Sequence, residues 1–378
     1  EPEMSSREPA SLEPVPLRLQ GPPGWKLSQA LLQALLAAEL LVQQGQLVRA
    51  REHLRKTSPH HPGDLEQALI AHALGSLSEQ EEAWPRVSIE LQRAILLLNR
   101  SGVDAPGLEA SLLNTLGVAW LEQQKWKQAE QTLEHALRLR EALFLRAQAR
   151  EPGLQGLDPS ALERSGTQTP LTSAPNSAEE RTLQVLQARL SSAQEATSLE
   201  EARRWLANTL YNLGVVQARQ EHWREAIHTL EQAATHFSGA ERLQTQLDLA
   251  RLLHEGGART LAQEVLRGVD EEALSPAQRV ERQALDGLIL AGLGQVDQGL
   301  EQLKAAIAGY AALELPLQEG QLLFNLGLIL AYHQRREEAL DAFAQARVRA
   351  LELHDTASVL EIDRQVERLE QTGAGQRR

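Results

Sequence analysis

Apolar residues between Asn208 and Phe237 recur at helical spacing in two blocks separated by a polar break. Leu210, Leu213, Gly214 and Val216 mark the first block, and Trp223, Ala226, Ile227, Leu230 and Ala233 mark the second. Returns every three or four residues place each set on one face of a helix, and the Arg219-Gln220-Glu221-His222 segment supplies the turn. The pair is predicted to fold back as an antiparallel helical hairpin. Gly214 and Ala226 are the small residues expected where the two backbones come closest.

The same spacing returns along the chain. Leu116-Gly117 is followed by Trp126, Ala129, Leu133 and Ala136, and Leu326-Gly327 by Arg336, Ala339, Phe343 and Ala346. In each, the first Ala stands twelve residues after the Gly and the second seven later, as Gly214, Ala226 and Ala233 do. Leu74-Gly75 leads to Trp84, Val87, Leu91 and Ala94 in the same order. Weaker copies place Ala38, Ala50 and Leu54 in register, then Ala250, Ala262 and Leu266, then Gly287, Gly299, Leu303 and Ala306. Roughly seven copies at a period from the mid-thirties to the low forties predict an all-α stack of hairpins.

Breaks in the pattern divide the chain. Residues 1–24 carry Pro2, Pro9, Pro14, Pro16, Pro22 and Pro23 among small polar residues, and are expected to form a flexible arm. About three hairpins follow over 25–150, with Pro59, Pro62 and Gly63 ending the first and Asp64 expected to cap the next helix. Residues 151–177 hold four Pro and three Gly with no sustained apolar period, so a disordered loop or hinge is expected there. A helix with Leu183, Leu186 and Leu190 on one face either closes the first half or adds a partial repeat, and about four hairpins are expected over 178–354. The closing helix, 355–372, sets Val359, Ile362, Val366 and Leu369 inward and Glu361, Arg364, Glu367 and Arg368 outward. That pattern suits a cap that seals the array, and 373–378 should fray.

At this point LANTLYNLGVVQARQEHWREAIHTLEQA and GQLLFNLGLILAYHQRREEALDAFAQA are seen to resemble tetratricopeptide repeats. The shared residues are a Leu-Gly pair in the first helix and Ala, an aromatic or Leu, and Ala in the second. The resemblance covers about two thirds of the chain and departs from the family in having Leu113, Leu210 and Leu323 in place of its Trp. It implies an α-solenoid, a right-handed superhelix whose concave groove is lined by first helices. Family ligand positions then fall on Asn208, Tyr211, Asn212, Val215 and Arg219. On the next repeat they fall on Gln244, Asp248, Arg251 and His254, and on the last on Gln321, Phe324, Asn325, Leu328 and Tyr332. Asn212 and Asn325 match an Asn that in the family bonds a peptide backbone; the alternative is that they tie adjacent helices together. The Lys and further Asn of the family's carboxylate clamp are absent, with Tyr211, Val215 and Leu328 in their place.

Composition narrows the function. Asp and Glu outnumber Lys and Arg by 51 to 38, a net charge of −13, which opposes direct binding to nucleic acid and favours a neutral or basic protein partner. Without cysteine there is no disulfide, thiolate zinc site or cysteine nucleophile. No apolar run reaches the roughly 20 residues of a membrane span, and the start lacks the pattern of a signal peptide, so a cytoplasmic setting is the expectation. Phosphate-binding loops, nucleophile elbows and HExxH motifs are missing, and paired acids such as Glu81-Glu82 fall at turns where helix dipoles favour them. Neither His53, His60 and His61 nor His222, His228 and His236 has the spacing of a metal site, so no metal, cofactor or catalytic residue is expected. Trp84, Trp126 and Trp223 all open second helices, which assigns them to packing within their own hairpins.

These readings converge on a non-catalytic protein-interaction scaffold that holds a peptide or helix of a partner in the groove. The second reading is the sensory array of a bacterial regulator whose effector domain lies outside this chain. Self-association through the solenoid ends is a third.

Overall fold

The computed structural model describes residues 28–58, 63–150 and 198–375. The arm at 1–24, His60 to Pro62, the linker at 151–177, the helix expected over 178–196 and residues 376–378 lie outside the described residues. Every regular element described is helical. In chain order these are α1 (Gln29–Gln43), α2 (Leu47–Thr57), α3 (Asp64–Gln80), α4 (Trp84–Ser101), α5 (Pro106–Glu122) and α6 (Trp126–Arg150). After 198 come α7 (Leu199–Arg219), α8 (Trp223–His236), α9 (Gly239–Glu255), α10 (Arg259–Arg267) and α11 (Pro276–Gly292). The last are α12 (Val296–Ala312), α13 (Pro316–Tyr332), α14 (Arg336–Glu352) and α15 (Thr356–Gly375).

Each odd-numbered helix from α1 to α13 packs on the helix that follows it, which makes hairpins, and within each compact unit the second helix of a hairpin also packs on the first helix of the next. The closure is the same seven times over. A small residue on the first helix stands sixteen places before a large one, at Ala38 and Leu54, Gly75 and Leu91, Gly117 and Leu133, Gly214 and Leu230, Ala250 and Leu266, Gly287 and Leu303, Gly327 and Phe343, and at the five glycines the large side chain lies directly opposite. All seven large side chains are at most 2% exposed, so each contributes about 1.5–3 kcal/mol of burial. A Cβ added at Gly214 would lie 2.5 Å from Leu230 Cγ, and one at Gly327 2.6 Å from the Phe343 ring. The glycine thus makes a notch for a bulky side chain, and Ala226, expected at the closest approach, is fully buried. Among these five glycines, Gly287 is the one where backbones meet: an added Cβ would lie 2.9 Å from the Gly299 carbonyl oxygen.

The turns are equally uniform. The second residue after the helix is left-handed at Gly45, Glu82, Gln124, Glu221, Gly257, Gly294, Glu314, Gln334 and His354. The next amide returns to a carbonyl five residues back, as in Gln46 to Leu41 and Arg335 to Leu330, which satisfies the helix end. At other starts Ser198 with Glu201 and Ser275 with Gln278 form capping boxes. Asp64 does not cap α3: Gly63 holds that place, and Asp64 lies in the first turn, 3.4 Å from Arg100. An extended glycine before the helix leaves the carboxylate free to answer both the helix dipole and the Arg.

The chain divides into two compact units at Phe237 and Ser238. In the first, one apolar cluster runs from Leu31 on α1 to Val216 on α7, and a second joins Leu206 and Leu210 to Phe237. In the other, a cluster from Ala284 to Ile362 takes in Val359, Val366 and Leu369 of α15 along their inner edges. Glu361, expected outward on α15, is half-buried, bonded by Gln365 at 2.7 Å and paired with Arg364 at 3.3 Å.

Candidate functional site

In the first unit the expected residues Asn208, Tyr211, Asn212 and Arg219 lie on α7. Asn208 and Arg219 are exposed, and Tyr211 and Asn212 half-buried. Asn212 Nδ2 donates to Asn114 Oδ1 on α5 at 3.3 Å, which ties the first helices of two successive hairpins. Both amides are half-buried, and neither Asn114 Nδ2 nor Asn212 Oδ1 has a further bond among the described residues. The seam therefore presents one donor and one acceptor side by side, the complement of a peptide unit's C=O and N–H. Asn114 went unnoticed in the sequence because it stands three residues before its glycine rather than two, in register with Tyr211 and Phe324.

The same seam contains Arg140, which reaches in from α6. Its Nη2 donates to Ser111 Oγ on α5 at 2.9 Å, and its guanidinium carbon lies 4.6 Å from the ring centre of Trp205 on α7. The residue is 5% exposed, Nε and Nη1 are buried without an acceptor, and burial pulls the guanidinium down to about 10. A signal for it was present: Ala129, Leu133 and Ala136 form the inward stripe of α6, and Arg140 is the next residue on that stripe.

In the second unit Gln244, Asp248 and Arg251 of α9 meet Glu281 of the neighbouring first helix α11. Arg251 pairs with Asp248 at 2.6 Å and with Glu281, while Gln244 Nε2 donates to Glu281 Oε2 at 3.1 Å. Gln278 completes the group, donating to Gln244 Oε1 at 3.3 Å. His254, one turn beyond Arg251, is pulled down to about 4 by burial first and by Arg259 second, and its Nδ1 has no partner. It is therefore neutral near pH 7.

On α13 Gln321 and Asn325 are half-buried, and Phe324 is core, with its ring centre 5.7 Å from that of Phe343. Tyr332 is 83% exposed, and Leu328 is exposed one turn before it. A cavity of about 30 Å³ between α13, α14 and α15, lined by Phe324, Ala346, Arg349 and Ile362 among others, has room for one water. The expected positions therefore resolve into an amide pair on α5 and α7, an ion-pair network on α9 and α11, and a polar-to-aromatic stripe on α13.

Among the described residues no three His, Asp or Glu side chains gather closely enough to hold a metal. No described helix is long and apolar enough to cross a membrane. No protein-family model matches the chain, and no curated protein matches it in sequence. Among solved structures it is similar to a tetratricopeptide repeat protein from Parabacteroides merdae ATCC 43184. The identity is 12%, over 91% of this chain and 100% of that one, with a TM-score of 0.50. A Rap protein solved with competence and sporulation factor gives 12% identity over 93% of this chain and 90% of that one, with a TM-score of 0.46. BtubC from P. vanneervenii gives 13% over 76% and 93%, with a TM-score of 0.41. The first of these likenesses, taken with the repeated hairpins, makes the fold a tetratricopeptide-type helical solenoid.

Proposed function

We propose that this protein is a non-catalytic interaction scaffold that holds an extended peptide segment of a partner along its first-helix seams. The observation that carries the reading is the Asn114–Asn212 pair, which spans two successive first helices and leaves a donor and an acceptor on a half-buried surface. A peptide laid across α5 and α7 gains two main-chain hydrogen bonds there whatever its side chains, and half-burial strengthens them relative to water. Specificity then falls to neighbours of the pair such as Asn208 and Tyr211. The Gln244, Asp248, Arg251 and Glu281 network and the α13 stripe of Gln321, Asn325, Leu328 and Tyr332 are the corresponding surfaces of the second unit. Two carboxylates around one guanidinium make that network acidic, in keeping with a neutral or basic partner.

The test uses peptides selected on the intact chain from a random displayed library, measured by calorimetry. Asn114→Ala with Asn212→Ala is expected to weaken the selected peptide about tenfold or more, equivalent to about 1.4 kcal/mol, without change in circular dichroism. N-methylation of the contacting amide should weaken it similarly in the wild type. Undiminished affinity in both experiments would overturn the assignment.

A further inference from the structure

Arg140 is a charged group placed where the fold has no use for its charge. Of its N–H groups, one bond to Ser111 is made, and Nε and Nη1 lie buried with no acceptor. Buried guanidinium groups are ordinarily held by carboxylates, and one left without is costly enough to require a reason. The stack on Trp205 offsets part of that cost and needs no hydrogen bond in the guanidinium plane, so Nε and Nη1 are left over as donors.

The position matters as much as the deficit. Ser111 is three residues before Asn114 on α5, and Trp205 is seven before Asn212 on α7, so Arg140 and the amide pair occupy one seam on matching helical faces. At 1.5 Å per residue, Arg140 lies about 5–10 Å along the helices from the pair, a span of roughly two or three residues of extended peptide. Trp205 is half-buried and stacked on the guanidinium, which is itself 5% exposed.

We propose that Arg140 is a carboxylate subsite, covered by Trp205 when empty, that receives a carboxylate of the peptide bound at Asn114 and Asn212. This rests on the groove reading for the peptide and adds the chemical character of one end of it. On binding, the indole gives way, and the carboxylate takes the edge shared by Nη1 and the second N–H of Nη2, while the other Nη2 N–H keeps its bond to Ser111. A single carboxylate is compatible with the acidic surface, since the charge is met locally.

The experiment compares thermal stability of the full chain with N-acetyl-dialanine, which ends in a carboxylate, with its C-terminal amide, and with N-acetyl-aspartate diamide, whose carboxylate is on a side chain. Sodium chloride at matched ionic strength is the control. The proposal expects concentration-dependent stabilisation by one or both carboxylates and none by the amide, and the more effective of the two identifies a chain terminus or an acidic side chain. It also expects Arg140→Met to be at least as stable as wild type and to lose the response at least tenfold in apparent affinity, with Arg140→Lys intermediate. Fluorescence of the wild type should shift on binding, and the shift should be lost in Trp205→Phe.

A less stable or unfolded Arg140→Met would make Arg140 a structural staple between α5, α6 and α7 and overturn the proposal. So would equal responses to acid and amide, or no response. Asn114→Ala with Asn212→Ala separates the two readings. If that pair leaves selected peptides bound while the carboxylate response still depends on Arg140, the groove reading fails and the subsite stands.

Discussion

Residues 276–375 and 28–237 solve the same packing problem in different ways. From Pro276 onward every helix starts 20 residues after the last, at 276, 296, 316, 336 and 356, with 17-residue helices and three-residue turns until α15. Turns within and between hairpins are then identical, and Glu314 and His354 adopt the same left-handed conformation as Gly294 and Gln334. Among the described residues of the earlier region that turn occurs only within hairpins, and second helices vary from 11 residues in α2 to 25 in α6. The notch between helices is common to both. What differs is the freedom of the connection, and the less regular region is where Arg140, in the second half of the longest helix described, comes to share a seam with Asn114 and Asn212.

If notches are equivalent but their surroundings are not, the same substitution should cost different amounts. Gly287→Ala drives its methyl into the Gly299 carbonyl and the Leu303 amide, backbone that cannot move aside, and is expected to cost about 3 kcal/mol. Gly214→Ala meets only the branched end of Leu230, which can shift, so about 1–2 kcal/mol is expected. Denaturant midpoints of the two variants check the order, and equal costs would remove the distinction.

Acid should distinguish the units as well. His254, in the second unit, has a folded pKa of about 4, below its unfolded value near 6.5, so between these pH values the unfolded chain binds the extra proton. Its contribution is complete above about pH 6.5 and is lost as pH falls toward 4, by roughly 2 kcal/mol after allowance for partial solvent contact. His254→Gln should flatten that slope in urea titrations at pH 7, 5.5 and 4.5.

The smallest effect concerns the turns. Replacing Glu314, Gln334 or His354 with Gly removes left-handed strain at φ between 54° and 61° and should stabilise each by about 0.5–1 kcal/mol. Gly294→Ala should destabilise by a similar amount, since its φ is 88°.

Much of this was legible because packing is local in a repeat. The Gly, Ala and Ala spacing located the hairpins, Trp84, Trp126 and Trp223 open α4, α6 and α8, and Ser275-Pro276 opens α11. The true partner of the notch was less visible: Leu230 reads as one apolar residue among several on α8, and its place opposite Gly214 depends on how the two helices rotate about their axes. Asn114 and Arg140 were harder still, since their significance lies in neighbours 98 and 29 residues away, Asn212 and Ser111. Helical periodicity says that a polar residue falls on an inward face, but not what it meets there.

The claim on which the fold account depends is that each hairpin closes by seating a large side chain in a notch sixteen residues earlier. A double-mutant cycle on Gly214→Ala and Leu230→Ala measures it directly, because the methyl added by one change occupies space vacated by the other. The account predicts a double variant more stable than the sum of the single losses by about 1–2 kcal/mol. Strict additivity would show that the two residues do not compete for one space, and would contradict it.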